Sequence, residues 1–448
     1  MKKLGGVAAP HRKNTAAMVP EAMPVPQEVR LPMSMHEGIP ANPVVAVGDF
    51  VKVGQVIGEA GGEVSAPVHA SVSGTVKSIE AVDSISGEKN VTITITSDGN
   101  QTPFEGIAPV NVSNLAEFLD AVKASGVVGL GGAGYPTASK LKLRDTVKLD
   151  YILVNGAECE PYITSDTRTM IDDAQYVWEG MLLLQKFLKP KNVVICIESN
   201  KPEAIKKMKE LIGNTEGISV HVLPSLYPQG ERKVLVYNVT GRIVPEGARL
   251  PDVGCVVINC TTTAVLAKYI KTGMPLVSKC VTVDGSAVKT PKNVIVPLGT
   301  PVRDVFDYCG GLKDDVKKVL LGGAMMGAAI PSLDIPIKKV TNAALAFSEM
   351  DADLPEPSNC IRCGRCVSKC PMSLMPPNIE NAYELKKPEL LKLCKVNMCV
   401  ECGCCAFSCP AKRPLVQVMT LSKKILRNYI TAQKAKAAKA NEGAKKVE

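Results

Sequence analysis

Hydrophobic and polar positions change their period several times along the chain, and each change marks a different kind of element. From residue 31 to about 107 turns come quickly, at Val47-Gly48-Asp49, Val53-Gly54-Gln55 and Ser73-Gly74-Thr75, and the run Val91-Thr92-Ile93-Thr94-Ile95-Thr96 alternates strictly. Period two between frequent turns predicts a small β domain. Asn114 with Glu117 predicts a capping box opening a helix that runs to about Ser125. Short β-rich runs at 151–154, 193–197, 220–223 and 255–258 then interleave with helical periods at about 172–188 and 202–212, which predicts an α/β domain. After Val281 come a strand, the turn Asp284-Gly285, and a helix opened by Thr300 at the N-cap with Pro301 at the first position and stopped at Gly310-Gly311. Near the end, Leu415, Val418, Met419, Ser422, Ile425, Leu426, Tyr429 and Ile430 share one helical face, and the Ala/Lys-rich stretch beyond is expected to be disordered. The first 30 residues carry Pro10, Pro20, Pro24 and Pro26 with little periodicity and read as an extended arm lying over another part of the chain.

Composition narrows the possibilities. A chain of 448 residues is long enough for about three or four domains. Sixteen cysteines without a signal-peptide pattern indicate reduced thiols and metal ligation in the cytoplasm. No apolar run reaches the ~18 residues of a membrane helix, so the expectation is a soluble or peripheral protein. Net charge is +9, of which residues 421–448 supply +6, so the basic character belongs to the tail. With 4% aromatic residues and no interleaving of basic and aromatic positions, a nucleic-acid surface is not expected. His11, His36, His69 and His221 are scattered singly and read as ordinary surface or core histidines.

The chemistry concentrates in two places. Cys360, Cys363, Cys366 and Cys370-Pro371, then Cys399, Cys402, Cys405 and Cys409-Pro410, repeat one spacing, the ligand pattern of a pair of [4Fe-4S] clusters. Structural zinc is the alternative, but zinc ligands usually fall into two Cys-x2-Cys pairs separated by a long loop. Cys159, Cys196, Cys255, Cys260, Cys280, Cys309, Cys394 and Cys404 read as small core residues. The second place is Gly129-Leu130-Gly131-Gly132-Ala133-Gly134-Tyr135-Pro136-Thr137, where close glycines let backbone N–H groups approach a phosphate or a flat ring. Asn155-Gly156-Ala157-Glu158-Cys159-Glu160-Pro161 follows the run at 151–154, at a strand's carboxyl end, where open α/β sheets bind ligands.

These two segments resemble the flavin-bearing, NADH-oxidising subunit of respiratory complex I, which pairs a G-R-G-G-A-G-F-P-T-G-x-K loop with an N-A-D-E-x-E-P run. The resemblance implies FMN contact at Gly129, Gly131, Gly132, Lys140, Asn155 and Glu158, with Gly134 closing the loop, and nicotinamide-nucleotide contact at Tyr135 and Glu160. Leu130 stands where that family has arginine, and Ala157 where it has aspartate. Tyr227-Pro228-Gln229-Gly230-Glu231 and Asn259-Cys260-Thr261-Thr262 are similar to its later flavin-site loops, which adds Gly230, Glu231, Asn259 and Thr261.

Residues 31–110 resemble the lipoyl/biotinyl barrel-sandwich family, without a carrier lysine at 59–65, and read as a structural platform. Residues 276–345 are similar to soluble-ligand-binding β-grasp modules. Together with an arm at 1–30, an FMN/NADH-binding α/β domain at 111–275, a two-cluster ferredoxin-like α module at 346–420 and an amphipathic, basic tail at 421–448, the order resembles the RnfC family, the NADH-binding flavin/iron–sulfur component of the Rnf complex. The expected fold class is therefore multidomain α/β and α+β. The segment Pro32-Met33-Ser34-Met35-His36-Glu37-Gly38 departs from that family's usual P-L-S-Q-H-I-G.

The resemblance implies an electron-transfer protein on the cytoplasmic membrane face that takes hydride from NADH onto FMN. Single electrons would leave through two [4Fe-4S] clusters toward ferredoxin-linked partner subunits of an ion-translocating complex, and no side chain need act as a general base. It also implies crosswise ligation, Cys360, Cys363 and Cys366 with Cys409, and Cys399, Cys402 and Cys405 with Cys370. Two other readings stay open: a soluble flavin/iron–sulfur reductase feeding a cobalamin or amino-acid reductase, and a non-catalytic cluster-bearing scaffold.

Overall fold

A computed structural model describes residues 3–85 and 87–444, with side chains through residue 437. The chain divides into two compact units, one comprising Pro10–Ser225 and Leu235–Asp353, the other Met1–Ala9, Leu226–Val234 and Leu354–Glu448.

In the larger unit, Glu28–Pro32, Lys89–Ser97, Gly74–Asp83 and Phe50–Val51 form an antiparallel sheet in that order, and Asn42–Pro43, Val56–Glu59 and Val68–His69 form a second. The alternation read at 91–96 holds from Ile93 onward, Ile93 and Ile95 being fully buried beside Val29, Leu31 and Val76, whereas Val91 is exposed and Thr92 buried.

The α/β part is a four-stranded parallel sheet in the order Ile218–Leu223, Asn192–Glu198, Tyr151–Gly156, Cys255–Asn259. Its two inner strands are buried along almost their whole length, as parallel strands covered on both faces must be. The helical period at 172–188 is the helix Ala174–Leu188, and a separate helix that the pattern does not announce, Ser165–Asp172, precedes it across Asp173. Asn114 caps Leu115–Ala124 as expected, but Glu117 reaches back to the N–H of Ser113 rather than to Asn114.

A six-stranded mixed sheet runs Glu21–Ala22, Lys292–Pro297, Ser278–Asp284, Ala343–Ser348, Val316–Leu321, Ala328–Ala329. The N-terminal arm thus contributes an edge strand here, Glu21 and Ala22 pairing in parallel with Val294 and Ile295. The helix after Thr300 spans Val302–Tyr308 with Pro301, not Thr300, at its N-cap, because the Thr300 hydroxyl donates to the Pro297 carbonyl at 2.7 Å.

The smaller unit is helical. Pro376–Glu384, Pro388–Leu393 and Leu415–Ala444 enclose a core of Leu374, Ile379, Leu391, Val396, Val418, Met419 and Leu426. The last helix continues to Ala444 through the stretch expected to be disordered, since alanine and lysine are strong helix formers and no glycine or proline interrupts them before Gly443. Val7 and Tyr227 exchange two backbone hydrogen bonds, at 2.8 and 3.0 Å, tying the first residues to 226–234. Among the described residues no helix is long and apolar enough to cross a membrane.

Candidate functional site

The parallel sheet fixes where a ligand can sit. From Tyr151–Gly156 the chain moves outward through two further strands, then returns to place Cys255–Asn259 on the opposite flank of the first. Neighbouring crossovers therefore leave on opposite faces, and a crevice opens at the carboxyl ends of these two strands. Asn155 and Asn259 are register partners at its rim.

The glycine loop is pinned beside that rim. Gly129 N–H donates to the Tyr135 carbonyl at 2.9 Å and Gly134 N–H to the Gly129 carbonyl at 3.0 Å, closing a hairpin-like turn. Both main-chain groups of Leu130 are occupied: its N–H donates to Thr262 Oγ1 at 2.9 Å, and its carbonyl accepts from the buried Lys279 ammonium at 2.7 Å. Lys279 also donates to the Lys339 carbonyl and Asn342 Oδ1, three acceptors for three N–H groups, while burial pulls its pKa down to about 7. The Leu130 side chain lies in the core, so the residue replacing the family's arginine serves packing.

Between these ties Gly131, Gly132 and Ala133 are exposed, and among the described residues their N–H groups donate to no protein acceptor. Gly132 has φ +107° with open space where a Cβ would stand, and the buried Thr137 hydroxyl just beyond has no partner among the described residues. A cradle of three consecutive free donors at a switch-point crevice fits a flavin mononucleotide's phosphate or ring carbonyls. Gly131 packs against Asn259, leaving 3.1 Å between a notional Cβ and Nδ2.

Asn259 caps the helix Cys260–Thr272 by accepting from Thr262 N–H at 3.1 Å, and its amide donates to Asp166 Oδ2 at 2.7 Å. Thr261 donates to the other oxygen of Asp166 at 2.6 Å. Asp166, a residue that no sequence signal singles out, thus joins the two later loop residues to the helix Ser165–Asp172. It stands eight residues after Glu158 with no motif around it to announce it.

Glu158 and Glu160 are committed to protein partners. The Glu158 carboxylate accepts from Asp166 N–H at 2.6 Å and from the Thr167 hydroxyl, capping the same helix. Burial raises its pKa, opposed by the ammonium groups of Lys13 and Lys201. Glu160 accepts from Met325 N–H at 2.9 Å and lies directly against Gly323. Asn155 Oδ1 accepts from Ala157 N–H at 3.2 Å, and Lys140 donates to the Val257 carbonyl at 3.3 Å. Tyr135 is half-buried at the end of the glycine loop.

Gly129, Gly131, Gly132, Gly134, Tyr135, Lys140, Asn155, Glu158, Glu160, Asn259 and Thr261 all belong to the larger unit. Gly230 and Glu231, expected with the flavin loops, belong to the unit carrying the cysteine runs. Glu231 caps the first turn of Arg232–Thr240, accepting from Lys233 and Val234 N–H at 2.7 and 3.0 Å, and burial raises its pKa.

In the smaller unit, Cys370, Cys399, Cys402, Cys404 and Cys405 line one small pocket together with Leu374, Val416 and Met419. Burial pushes the Cys399 and Cys405 thiols up to about 11 and 12, and Cys370 is among the sulfurs that add to both. Cys366 is raised by burial, then by its neighbours Cys409 and Cys360. Cys360 and Cys363 are exposed. The Cys404 thiol donates to the Tyr227 carbonyl at 3.9 Å, and its closeness to Cys402 lowers that thiol's pKa. Among the described residues no three His, Cys, Asp or Glu side chains converge on a single ion; a cubane holds its four thiolates at the corners of a larger cage. Sulfur donors around an apolar cavity of this kind fit an iron–sulfur cluster.

Comparison with known proteins adds family to geometry. Residues 1–100 match an RnfC barrel sandwich hybrid domain, 122–268 a Nuo51 FMN-binding domain, and 280–329 an SLBB domain. The chain is 41% identical over 84% of its length to the C subunit of the Na(+)-translocating ferredoxin:NAD(+) oxidoreductase complex of Acetobacterium woodii, covering 86% of that protein. It is 40% identical to the C subunit of the proton-translocating ferredoxin:NAD(+) oxidoreductase complex of Clostridium ljungdahlii, over 83% of this chain and 82% of the other. Against the C subunit of the ion-translocating oxidoreductase complex of Rhodobacter capsulatus identity is 39%, over 82% and 72%. Among solved structures, an air-oxidized NAD+-reducing [NiFe]-hydrogenase overlays with a TM-score of 0.47 at 17% identity, over 63% of this chain and 55% of the other.

Proposed function

We propose that this chain, which belongs to the RnfC family of ion-translocating ferredoxin:NAD(+) oxidoreductase complexes, accepts hydride from NADH at a bound FMN and passes electrons singly through two [4Fe-4S] clusters. The observation that carries the reading is the row of N–H groups at Gly131, Gly132 and Ala133, without protein acceptors, at the crevice between Asn155 and Asn259. FMN, when bound, supplies the exchange between a two-electron hydride and the single electrons that iron–sulfur clusters carry.

The residues then divide the task. Gly131, Gly132 and Ala133 offer the donors, and Gly132 leaves room for a ring or phosphate to approach the backbone. Thr262 and Lys279 hold the loop by both main-chain groups of Leu130, so the donors are fixed before a ligand arrives. Asn259, Thr261 and Asp166 brace the rim against which Gly131 packs. Tyr135 and Glu160 border the place where a nicotinamide nucleotide would lie.

For the clusters we assign Cys399, Cys402 and Cys405 with Cys370 to one, and Cys360, Cys363 and Cys366 with Cys409 to the other, in a ferredoxin-like module. The cavity shared by Cys370 and the second run supports this pairing, as does the proximity of Cys409 to Cys366. We read residues 276–345 as a β-grasp module, and take 31–110, 111–275, 346–420 and 421–448 as the remaining domain limits beyond the arm. A peripheral position on the cytoplasmic membrane face, beside the membrane subunits of the complex, accords with the family. Anaerobic purification of the full chain should give one FMN released by acid and about eight irons; protein with the iron but without flavin would overturn the flavin assignment.

A further inference from the structure

The loop Ala157–Glu158–Cys159–Glu160–Pro161–Tyr162–Ile163 follows the strand Tyr151–Gly156 and carries both glutamates of the site. Glu158 and Tyr162 both adopt left-handed conformations, φ +47° and +69°. Non-glycine residues there persist only when their surroundings over-determine them. Those surroundings come from the N-terminal arm. Lys13 Nζ donates to the carbonyls of Glu158 at 2.8 Å, Glu160 at 2.8 Å and Ile163 at 2.5 Å, using all three of its N–H bonds on one loop. The residue is only partly buried overall, yet burial around its ammonium end lowers its pKa.

Neighbouring contacts hold the arm in register with the loop. Tyr162 N–H donates to the His11 carbonyl at 3.0 Å, Thr15 and Thr164 share a hydroxyl hydrogen bond at 2.5 Å, and Arg168 donates to the Ala16 carbonyl at 3.2 Å. From the other direction the buried Lys201 donates to the Ala157 carbonyl at 2.7 Å and pairs with Glu198 at 3.3 Å. Two ammonium groups therefore face two buried carboxylates, Glu158 and Glu198, around this loop.

We propose that Lys13 is a positioning residue of the nicotinamide-nucleotide subsite: its ammonium draws three carbonyls of one loop around itself and so sets where Glu160 presents its carboxylate. The inference rests on the reading of Glu160 as a nucleotide contact. The flavin-facing donors of Gly131–Ala133 are held by Thr262 and Lys279, and the Glu158 carboxylate by Asp166 N–H and the Thr167 hydroxyl, all on different elements from Lys13. Loss of Lys13 should therefore separate the two ligands, weakening the nucleotide and sparing the flavin.

The experiment compares full-length wild type, Lys13→Met and Lys13→Gln, all loaded with FMN. NADH oxidation with ferricyanide as acceptor gives KM and kcat, fluorescence quenching of FMN titrated into apoprotein gives its Kd, and thermal melting reports the fold. For Lys13→Met we expect KM for NADH to rise about tenfold or more, with kcat within about twofold and FMN Kd within about threefold, the pattern of lost uniform binding. Glutamine keeps two N–H donors and should fall between, which preserves the test if the methionine variant does not fold. An unchanged KM in FMN-loaded Lys13→Gln and Lys13→Met overturns the inference. So does parallel loss of FMN and NADH with a lowered melting temperature, the mark of a purely structural lysine. Wild type that bound no FMN would remove the reading on which the inference stands.

Discussion

Gly131→Ala tests the flavin cradle by steric means alone. Gly131 does not have a positive φ, so alanine meets no backbone penalty there; what it meets is Asn259, at 3.1 Å to Nδ2 and 3.3 Å to Cβ and Cγ. The Asn259 amide cannot simply turn aside, because it is held by Asp166 at 2.7 Å while its oxygen accepts from Thr262 N–H at 3.1 Å. Either Asn259 gives up part of a charge-assisted hydrogen bond or the loop lifts away from the crevice. A hydrogen bond to a charged group contributes about 1.5–3 kcal/mol, and a shift of a few tenths of an ångström loses part of it, so the cost is about 1–2 kcal/mol. Taken from binding, that is roughly a 5- to 30-fold rise in the Kd for FMN. The assay is fluorescence quenching of FMN titrated into apoprotein, on Gly131→Ala, Asn259→Ala and the double variant. With Asn259 truncated the added methyl has room, and the effect of Gly131→Ala should shrink below about threefold, a non-additivity expected only of residues in contact. An FMN Kd unchanged within twofold, or strict additivity across the cycle, would refute the reasoning.

Other outcomes follow from the same structure. Cys370→Ala should perturb the cluster held by Cys399, Cys402 and Cys405, and Cys404→Ala should leave both signals intact in electron paramagnetic resonance of the reduced protein; loss of the Cys360–Cys363–Cys366 signal in Cys370→Ala would show that each run closes its own cluster. Lys339 donates to the Pro67 and Gly126 carbonyls, two acceptors for the two N–H bonds of a neutral amine, and burial lowers its pKa from 10.5 to about 7. Between those values the unfolded chain holds a proton the folded chain lacks, so its contribution to stability is complete above about pH 10.5 and is lost as pH falls through about 7. Proton uptake on urea unfolding at pH 8.5 should fall by about one in Lys339→Met, and no change would contradict the assignment. Deleting residues after Gln433 spares Tyr429 and Ile430, which pack on the small unit's core, and removes five lysines against two glutamates; co-sedimentation with anionic vesicles should weaken at low salt and converge with wild type at high salt.

What the sequence made legible, and what it did not, follows physical lines. The strands flanking the crevice were readable at 151–154 and 255–258 because buried parallel strands are short β-rich runs whatever they pack against. The glycine loop was readable because its spacing is local. Lys13 and Lys279 were not: each is one lysine in an unremarkable stretch, with acceptors 145 to 150 residues away for Lys13 and 60 to 149 away for Lys279. Asp166 was hidden for the same reason, its partners Asn259 and Thr261 being 93 and 95 residues distant. The Leu226–Val234 segment clusters with the first residues and the cysteine unit, which linear order conceals. Thr300 shows how a cap signal fails locally: its hydroxyl found a carbonyl behind it before the helix could use it.

Anaerobic stopped-flow mixing of the purified full-length protein with NADH, followed by flavin absorbance, tests most directly whether FMN sits in the cradle of Gly131–Ala133 and is reduced there by NADH. Rapid bleaching of about one flavin per chain, slowed when the transferring hydrogen of NADH is replaced by deuterium, is the predicted result. Protein that carries its iron but no flavin, or whose flavin stays oxidised in excess NADH, would contradict it.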